Sequence, residues 1–179
     1  MRRLLIINIF LLLSGCATFN VDTGYSFSDD MSSGLLVFSF THTSTNETNH
    51  GAILDLRGIG DSESILEQSV MTGTLKDPFD WEKPRGRLVV IELPAGKYEI
   101  YKWRSFQGNI EYSSTALFSI PFRITEQKAT YIGNINLNIS PIGLYTINKH
   151  DTASRDIPLF LSKYSRIKEQ DIIRKVSQK

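Results

Sequence analysis

Residues 87–101 read RLVVIELPAGKYEIY, in which two strand-like runs flank a turn. The run 87–93 is nearly continuous in apolar residues, which is typical of a strand in the middle of a sheet. Pro94 suits the second position of a turn because its φ is held at about −65°, and Gly96 tolerates a positive φ. The stretch therefore predicts a β-hairpin with its turn at Pro94 to Gly96.

The predicted return strand of this hairpin, residues 97–106, carries aromatic residues on both faces. Alternation places Tyr98 and Tyr101 on opposite faces, with Trp103 on the face of Tyr101. Flat amphipathic rings can stack on a glycan or a peptide, but they more often form core and cross-strand pairs. Both interpretations apply to the same five side chains, namely Tyr98, Tyr101, Trp103, Phe106 and Tyr112. We favour the interpretation as core and cross-strand pairs.

Short β-branched or aromatic runs, broken by turn residues, lie on both sides of the hairpin. Residues 35–43 alternate and predict a strand with one buried face. Residues 130–139 predict a strand with Tyr131, Ile135 and Leu137 on its buried side and asparagines on a wet side. Further strands are predicted at 52–57, 111–117, 118–124 and 142–148, residues 65–75 are ambiguous, and 77–85 read as a loop.

The C-terminal segment changes to a helical period. From about residue 154 an apolar stripe predicts a helix that packs on the sheets through Ile157, Phe160, Leu161 and Tyr164. A second short helix is predicted over residues 169–176. The chain therefore reads as mainly β, an antiparallel β-sandwich of about seven strands with a short C-terminal helical segment. A small β-barrel is the alternative.

The N-terminal residues resemble a bacterial lipoprotein signal. Arg2 and Arg3 precede an apolar run at 4–13, and the next residues are Ser14, Gly15 and Cys16, the only cysteine. The apolar run is too short to span a bilayer, which needs about 20 residues. The resemblance implies cleavage before Cys16 and attachment of lipid chains to it, and such chains anchor a protein without a transmembrane helix.

This resemblance divides the chain into a signal peptide at 1–15, a lipid-anchored flexible tether at 16–33, and a β-sandwich domain at 34–179. The tether is rich in Ser, Thr, Asp and Asn and shows no helical or strand period. Its apolar residues are spaced by about two, so it could instead lie along the domain. In a Gram-negative bacterium, Ala17 after the lipidated cysteine favours the outer membrane, facing the periplasm.

Composition excludes some partners. The chain has 20 basic and 19 acidic residues, and loss of Arg2 and Arg3 with the signal would leave the mature protein nearly neutral. No basic block suggests nucleic acid or a polybasic membrane patch. With the lone cysteine committed to lipid, we expect stability to come from the core and not from disulfides.

Two stretches carry a family resemblance: RLVVIELPAGKYEIY at 87–101 and FRITEQKATYIGNINL at 122–137. With the opening Gly34 to Ser39, they resemble uncharacterised bacterial lipoproteins built on a prealbumin-like, carboxypeptidase-regulatory-like β-sandwich. The pattern is a strand, a Pro-x-Gly-x-Tyr turn and a later Tyr-Ile-Gly strand before a helical end, and it covers about residues 34–165. The resemblance implies a fold and brings no catalytic residues.

Enzyme signals are few. Gly60-Asp61-Ser62 looks like the nucleophile block of GDS-type esterases, which also need a late Asp-x-x-His to activate the serine. The late histidine is His150, and Ile147 stands where the aspartate is needed. A Gly-Asp turn between strands is the better interpretation, so we expect no enzymatic activity.

His42, Glu47 and His50 could bind zinc, but a strand followed by a polar loop gives no register that converges them. We therefore expect neither a metal nor a cofactor. Trp81 is an aromatic residue in a polar loop, where recognition often occurs, and it is the candidate partner contact.

Together these patterns favour a non-enzymatic binding or structural module of the bacterial cell envelope, held at the membrane by the lipid on Cys16. An envelope protein or a cell-wall polymer is the expected partner. The alternative is an esterase-like envelope hydrolase that uses Ser62 and His150.

Overall fold

A computed structural model describes residues 20–27, 32–44, 50–62, 68–72, 80–82, 84–107, 109–114, 118–139 and 144–176. The predicted signal and Cys16 lie outside the described residues, as does Glu47, and the side chain of His50 is not described.

Two sheets face each other. One contains β1 (Ser33–Ser44), β4 (Trp81–Glu82), β5 (Arg85–Pro94), β9 (Ala129–Ile139), β10 (Tyr145–His150) and β11 (Ile172–Arg174), in the order β10-β9-β1-β5-β4, with β11 also on β9. The other contains β2 (His50–Gly58), β3 (Gln68–Thr72), β6 (Gly96–Gln107), β7 (Ile110–Ser113) and β8 (Ile120–Ile124), in the order β3-β2-β6-β7, with β8 also on β6. We call them the first and second sheets.

No ladder joins the two sheets among the described strands, so the predicted β-sandwich is confirmed and the barrel alternative is not. Most ladders are antiparallel, but β1–β9 and β9–β11 are parallel. The core lies between the sheets and is apolar. It includes Leu36, Phe38, Phe40, Leu54, Leu56, Val89, Ile91, Ile100, Ile135 and Leu137.

The turn at Pro94 to Gly96 does not close a hairpin, so that prediction is wrong. β5 pairs with β1 in the first sheet, whereas β6 pairs with β2 in the second. The turn therefore carries the chain across the sandwich, and the Tyr98 hydroxyl donates a hydrogen bond to the Pro94 carbonyl at 2.8 Å. Gly96 is not among the glycines with positive φ. It is required because a Cβ there would overlap Ser62 Oγ.

A helix, α1 (Ala153–Lys163), covers the outer face of the first sheet. Ile157, Phe160 and Tyr164 are buried as predicted, and Leu161 is partly buried. The helix packs on Leu35 and other outward apolar residues of the sheet. β1 thus has two buried faces, whereas the sequence predicted one. Its alternate residues pack either in the core between the sheets or against α1.

The predicted second helix at 169–176 is wrong. The segment forms a 3₁₀ turn, Glu169–Asp171, and then β11, which runs parallel to β9. The Lys175 N–H continues this pairing by donating to the Tyr131 carbonyl at 2.8 Å. Ile172 and Ile173 are β-branched, and such residues suit a strand better than a short helix.

Residues 20–27 lie along the domain, which differs from the flexible tether predicted for 16–33 and matches the alternative. The Val21 N–H donates to the Val90 carbonyl at 3.0 Å. The Asn20 amide donates to the Leu88 carbonyl at 2.9 Å and accepts from the Val90 N–H at 3.0 Å. The segment therefore covers the edge of β5, where unpaired backbone groups would otherwise invite another chain.

Two β-bulges change which faces the side chains occupy. In β9 an extra residue near Gly133, whose φ is +101°, turns Tyr131 toward α1 while Ile135 faces the core. Asn134 is consequently buried under the helix, and the predicted wet side is wrong at this position. In β6 the extra residue is Tyr101, so Trp103 packs on the same core as Tyr98.

Candidate functional site

The densest group of polar side chains lies between α1 and the first sheet. We call it the Asp156 cluster; it consists of Ser39 on β1, Tyr131 and Asn134 on β9, and Thr152, Arg155 and Asp156 at the start of α1. The Asp156 side chain is fully buried. The bulge at Gly133 creates the cluster, because it turns Tyr131 and Asn134 to the helix side.

Every oxygen of the Asp156 carboxylate is hydrogen-bonded. Its Oδ2 accepts from Ser39 Oγ at 2.6 Å, from Thr152 Oγ1 at 2.7 Å and from the Tyr131 hydroxyl at 2.8 Å. Its Oδ1 accepts from Arg155 Nε at 2.7 Å. Burial raises the pKa of Tyr131, and the neighbouring Asp156 raises it further. A buried charge is tolerated only when it is paired and hydrogen-bonded in this way. Because Asp156 lies on α1 whereas Ser39 and Tyr131 lie on the first sheet, the same bonds hold the helix against the sheet.

Arg155 links this cluster to Trp81. Its Nη2 donates to Ser39 Oγ at 2.9 Å, and its guanidinium lies 4.0 Å from the centre of the Trp81 ring. Trp81 stands on β4, paired with Gly86, and is partly buried against the α1 side of the first sheet. The sequence placed it in a loop. The structure instead gives one ring face to a cation–π contact.

An amide–hydroxyl ladder continues the cluster along β1 and β9. Asn134 Nδ2 donates to Ser39 Oγ at 2.8 Å, and Asn136 Nδ2 donates to Thr41 Oγ1 at 2.9 Å. The parallel pairing of the strands brings these side chains opposite one another. The sequence shows the alternate asparagines of β9, but it does not show that β1 is the strand beside them.

The two residues of the hydrolase alternative belong to different sheets, Ser62 to the turn after β2 and His150 to β10. Ser62 is buried beside Gly96, and its Oγ accepts the Lys97 N–H at 3.2 Å. His150 is exposed at the end of β10, opposite Asn134 in the first sheet. Ser62 thus joins the turn after β2 to the start of β6, which is a structural use of the hydroxyl. An open depression next to it carries the exposed side chains of Asp61, Lys97, Arg123 and Glu126.

The five aromatic residues proposed as a platform do not share a face. Tyr98 is buried and stacks on Phe122, with ring centres 5.7 Å apart. The Arg57 guanidinium instead lies over the Tyr101 ring, 4.5 Å from its centre. Trp103 and Tyr112 instead meet Tyr145 of β10, with ring centres 5.1 and 4.8 Å apart. These last three rings join the two sheets, and Tyr145 was not among the residues selected from the sequence.

The described residues contain no group of three or more His, Cys, Asp or Glu side chains arranged to hold a metal ion. His42 is buried near the end of β1, and its two predicted co-ligands are not described. Within the same residues, no helix is both long enough and apolar enough to cross a membrane.

No family model and no curated protein matches the chain. Among solved structures, it is similar to a leucine-rich repeat protein from Bacteroides thetaiotaomicron VPI-5482, with 11% identity and a TM-score of 0.38, over 63% of this chain and 14% of that one. It is also similar to a candidate cell adhesion protein from Bacteroides ovatus ATCC 8483, with 11% identity and a TM-score of 0.34, over 67% and 44%. The chain thus spans less than half of either protein, and similarity at this level carries no functional argument. The resemblance to prealbumin-like lipoproteins stays a prediction.

Proposed function

We propose that this protein is a non-enzymatic binding or structural module of the bacterial cell envelope, anchored to a membrane by lipid on Cys16. The observation that carries the proposal is the lone cysteine, which follows Ser14 and Gly15 after a short basic and apolar run. A thiol at that position is the chemistry that a lipoprotein signal requires. The domain then sits on the outer membrane, facing the periplasm.

The described polar side chains support a non-enzymatic role. Ser62, the candidate nucleophile, accepts a backbone hydrogen bond and packs against Gly96. Asp156, the fully buried carboxylate, is occupied by hydroxyl donors and Arg155. These groups stabilise the sandwich and its helix.

The module's partner is an envelope protein or a cell-wall polymer. Trp81 is the proposed contact residue, because its ring is only partly buried and lies beside the partly exposed Arg155. An indole next to a guanidinium offers an apolar surface with hydrogen-bond donors at its edge.

The anchor is tested with Cys16→Ser in the bacterial source. The wild type should incorporate radioactive palmitate, accumulate as an unprocessed precursor with globomycin, and fractionate with membranes. Cys16→Ser should lose the label and remain uncleaved or become soluble, because the thiol that carries the lipid is gone. Wild-type processing that ignores globomycin and takes up no palmitate would refute the lipid anchor.

A further inference from the structure

A depression lies at one corner of the second sheet, where β6 begins. Its floor includes Ala95 and Gly96, which contribute little or no side chain. Gly96 cannot carry a Cβ, because that atom would overlap Ser62 Oγ. The depression has a volume of about 850 Å³ and is open to solvent, and sites for small ligands usually measure about 300 to 1,000 Å³. It is therefore large enough to take a small molecule or part of a polymer.

Two turns form the walls of this depression. On one side is the turn Gly60–Ser62, which is held to β6 because the Ile59 N–H donates to the Lys97 carbonyl at 2.9 Å. On the other side are residues 123–126, at the end of β8 and beyond it. Because β2 and β8 pair with opposite edges of β6, the two turns lie on either side of the floor.

Charged side chains line the depression, two of each sign. They are Asp61, Lys97, Arg123 and Glu126. All four are exposed, and none forms an ion pair with another residue in the part of the chain that the structure describes. By contrast, Arg104 on the same sheet forms an ion pair with Asp55 at 2.8 Å. The charges of the depression are therefore available to a ligand.

The two cations of the depression lie together. Lys97 on β6 is directly opposite Arg123 on β8, and like charges in this position destabilise a sheet. A bound carboxylate would relieve this repulsion, and a guanidinium offers paired N–H donors that match its two oxygens. Asp61 and Glu126 stand on the two walls, where their carboxylates attract an ammonium group.

We propose that this depression binds a zwitterionic peptide, with its carboxylate on Lys97 and Arg123 and its ammonium group facing Asp61 and Glu126. A ligand of one sign would be repelled by half of these side chains, whereas a ligand of both signs has a partner for each. The peptide chains of a bacterial cell wall carry free carboxylate and ammonium groups. The proposal therefore rests on the envelope function proposed above and names the part of the polymer that is bound. The site is separate from Trp81, which lies on the first sheet.

The site is tested by isothermal titration calorimetry with the mature protein purified in detergent. The probe is a synthetic cell-wall tetrapeptide that contains diaminopimelate, whose side chain ends in an ammonium and a carboxylate on the same carbon. Lys97→Gln and Glu126→Gln should each weaken binding at least about fivefold, which corresponds to about 1 kcal/mol. Lys102→Gln is the matched control and should bind as the wild type does, because Lys102 is a partly exposed cation of β6 outside the depression.

Two modified peptides separate the halves of the site. Acetylation of the amines should weaken binding and make it insensitive to Glu126→Gln. Amidation of the carboxyl groups should weaken binding and make it insensitive to Lys97→Gln. Equal affinity for all three peptides, or wild-type affinity in both variants, would overturn the site.

Retention on purified peptidoglycan distinguishes this site from the function on which it rests. Peptidoglycan should retain the wild type and the Lys102→Gln control, and it should retain Lys97→Gln less strongly. Equal retention of Lys97→Gln would overturn this site and leave the cell-wall partner standing. Failure to retain the wild type would remove the cell-wall partner and this site together.

Discussion

A buried carboxylate joins the helix to the first sheet by hydrogen bonds, in addition to the apolar contacts of α1. Asp156 is fully buried and accepts from three hydroxyls and a guanidinium. Asp156→Asn should lower the free energy of unfolding by about 2 to 4 kcal/mol, because an amide opposes hydroxyl donors with a donor of its own and leaves Arg155 without its countercharge. Urea denaturation monitored by circular dichroism measures the change.

Asp61→Asn is the matched control for this substitution, since Asp61 is exposed and exposed substitutions usually change stability by less than about 0.5 kcal/mol. If Asp156→Asn changed stability no more than this control, the cluster would not be what docks the helix.

Gly96 illustrates how a correct residue can be selected for the wrong reason. The sequence assigned it a positive φ, whereas the structure requires it because a Cβ would overlap Ser62 Oγ. Gly96→Ala should cost about 1 to 3 kcal/mol through overpacking. The cost should fall when Ser62 is also changed to Gly, and a double-mutant cycle by thermal denaturation measures this coupling. A cost that stays the same in the Ser62→Gly background would point to backbone strain.

At the scale of elements, most strand positions could be predicted from the sequence because they depend on local alternation and turn residues, but β4 was predicted as loop and β11 as helix. Pairing could not, since it depends on partners far along the chain. The apolar run 87–93 is a central strand as predicted, but the turn after it leads to the other sheet. The bulges at Gly133 and Tyr101 shift the alternation by one residue. The bulge at Gly133 decides that Asn134 is buried, and for this reason the Asp156 cluster was missed.

The packing of α1 on the first sheet can be tested at Phe160. Phe160 is 1% exposed and lies on the outer face of the first sheet. Phe160→Ala should destabilise the protein by about 3 to 5 kcal/mol, because it removes a buried ring and leaves a cavity. Differential scanning calorimetry measures the loss.

Deletion of residues 154–179 separates intramolecular packing from a role in binding a partner. An isolated helix of this length is marginal in water, so we expect the deletion to abolish cooperative unfolding. A remainder that still unfolds cooperatively at the wild-type temperature would show that the helix is dispensable for the fold.

At the scale of the whole molecule, the first sheet is protected on its β5 side by the chain's own N-terminal residues. The Val21 N–H binds the Val90 carbonyl, and Asn20 satisfies backbone groups of Leu88 and Val90. Tyr25 extends the contact through a hydrogen bond to Glu92 at 2.9 Å. One segment thus closes a sheet edge, covers part of the helix layer and brings the proposed anchor to the domain.

Removal of residues 16–27 should therefore make the domain self-associate. The deletion leaves backbone groups of β5 unpaired at an edge, and an unpaired edge is a template for pairing with another chain. Analytical ultracentrifugation should show a concentration-dependent dimer or larger species for the deleted protein and a monomer for a soluble form that begins at residue 17. Asn20→Ala loses only the side-chain hydrogen bonds, so it should stay monomeric and lose about 1 to 2 kcal/mol of stability. A deleted protein that is monomeric, with an unchanged melting temperature, would restore the flexible tether that the sequence first predicted.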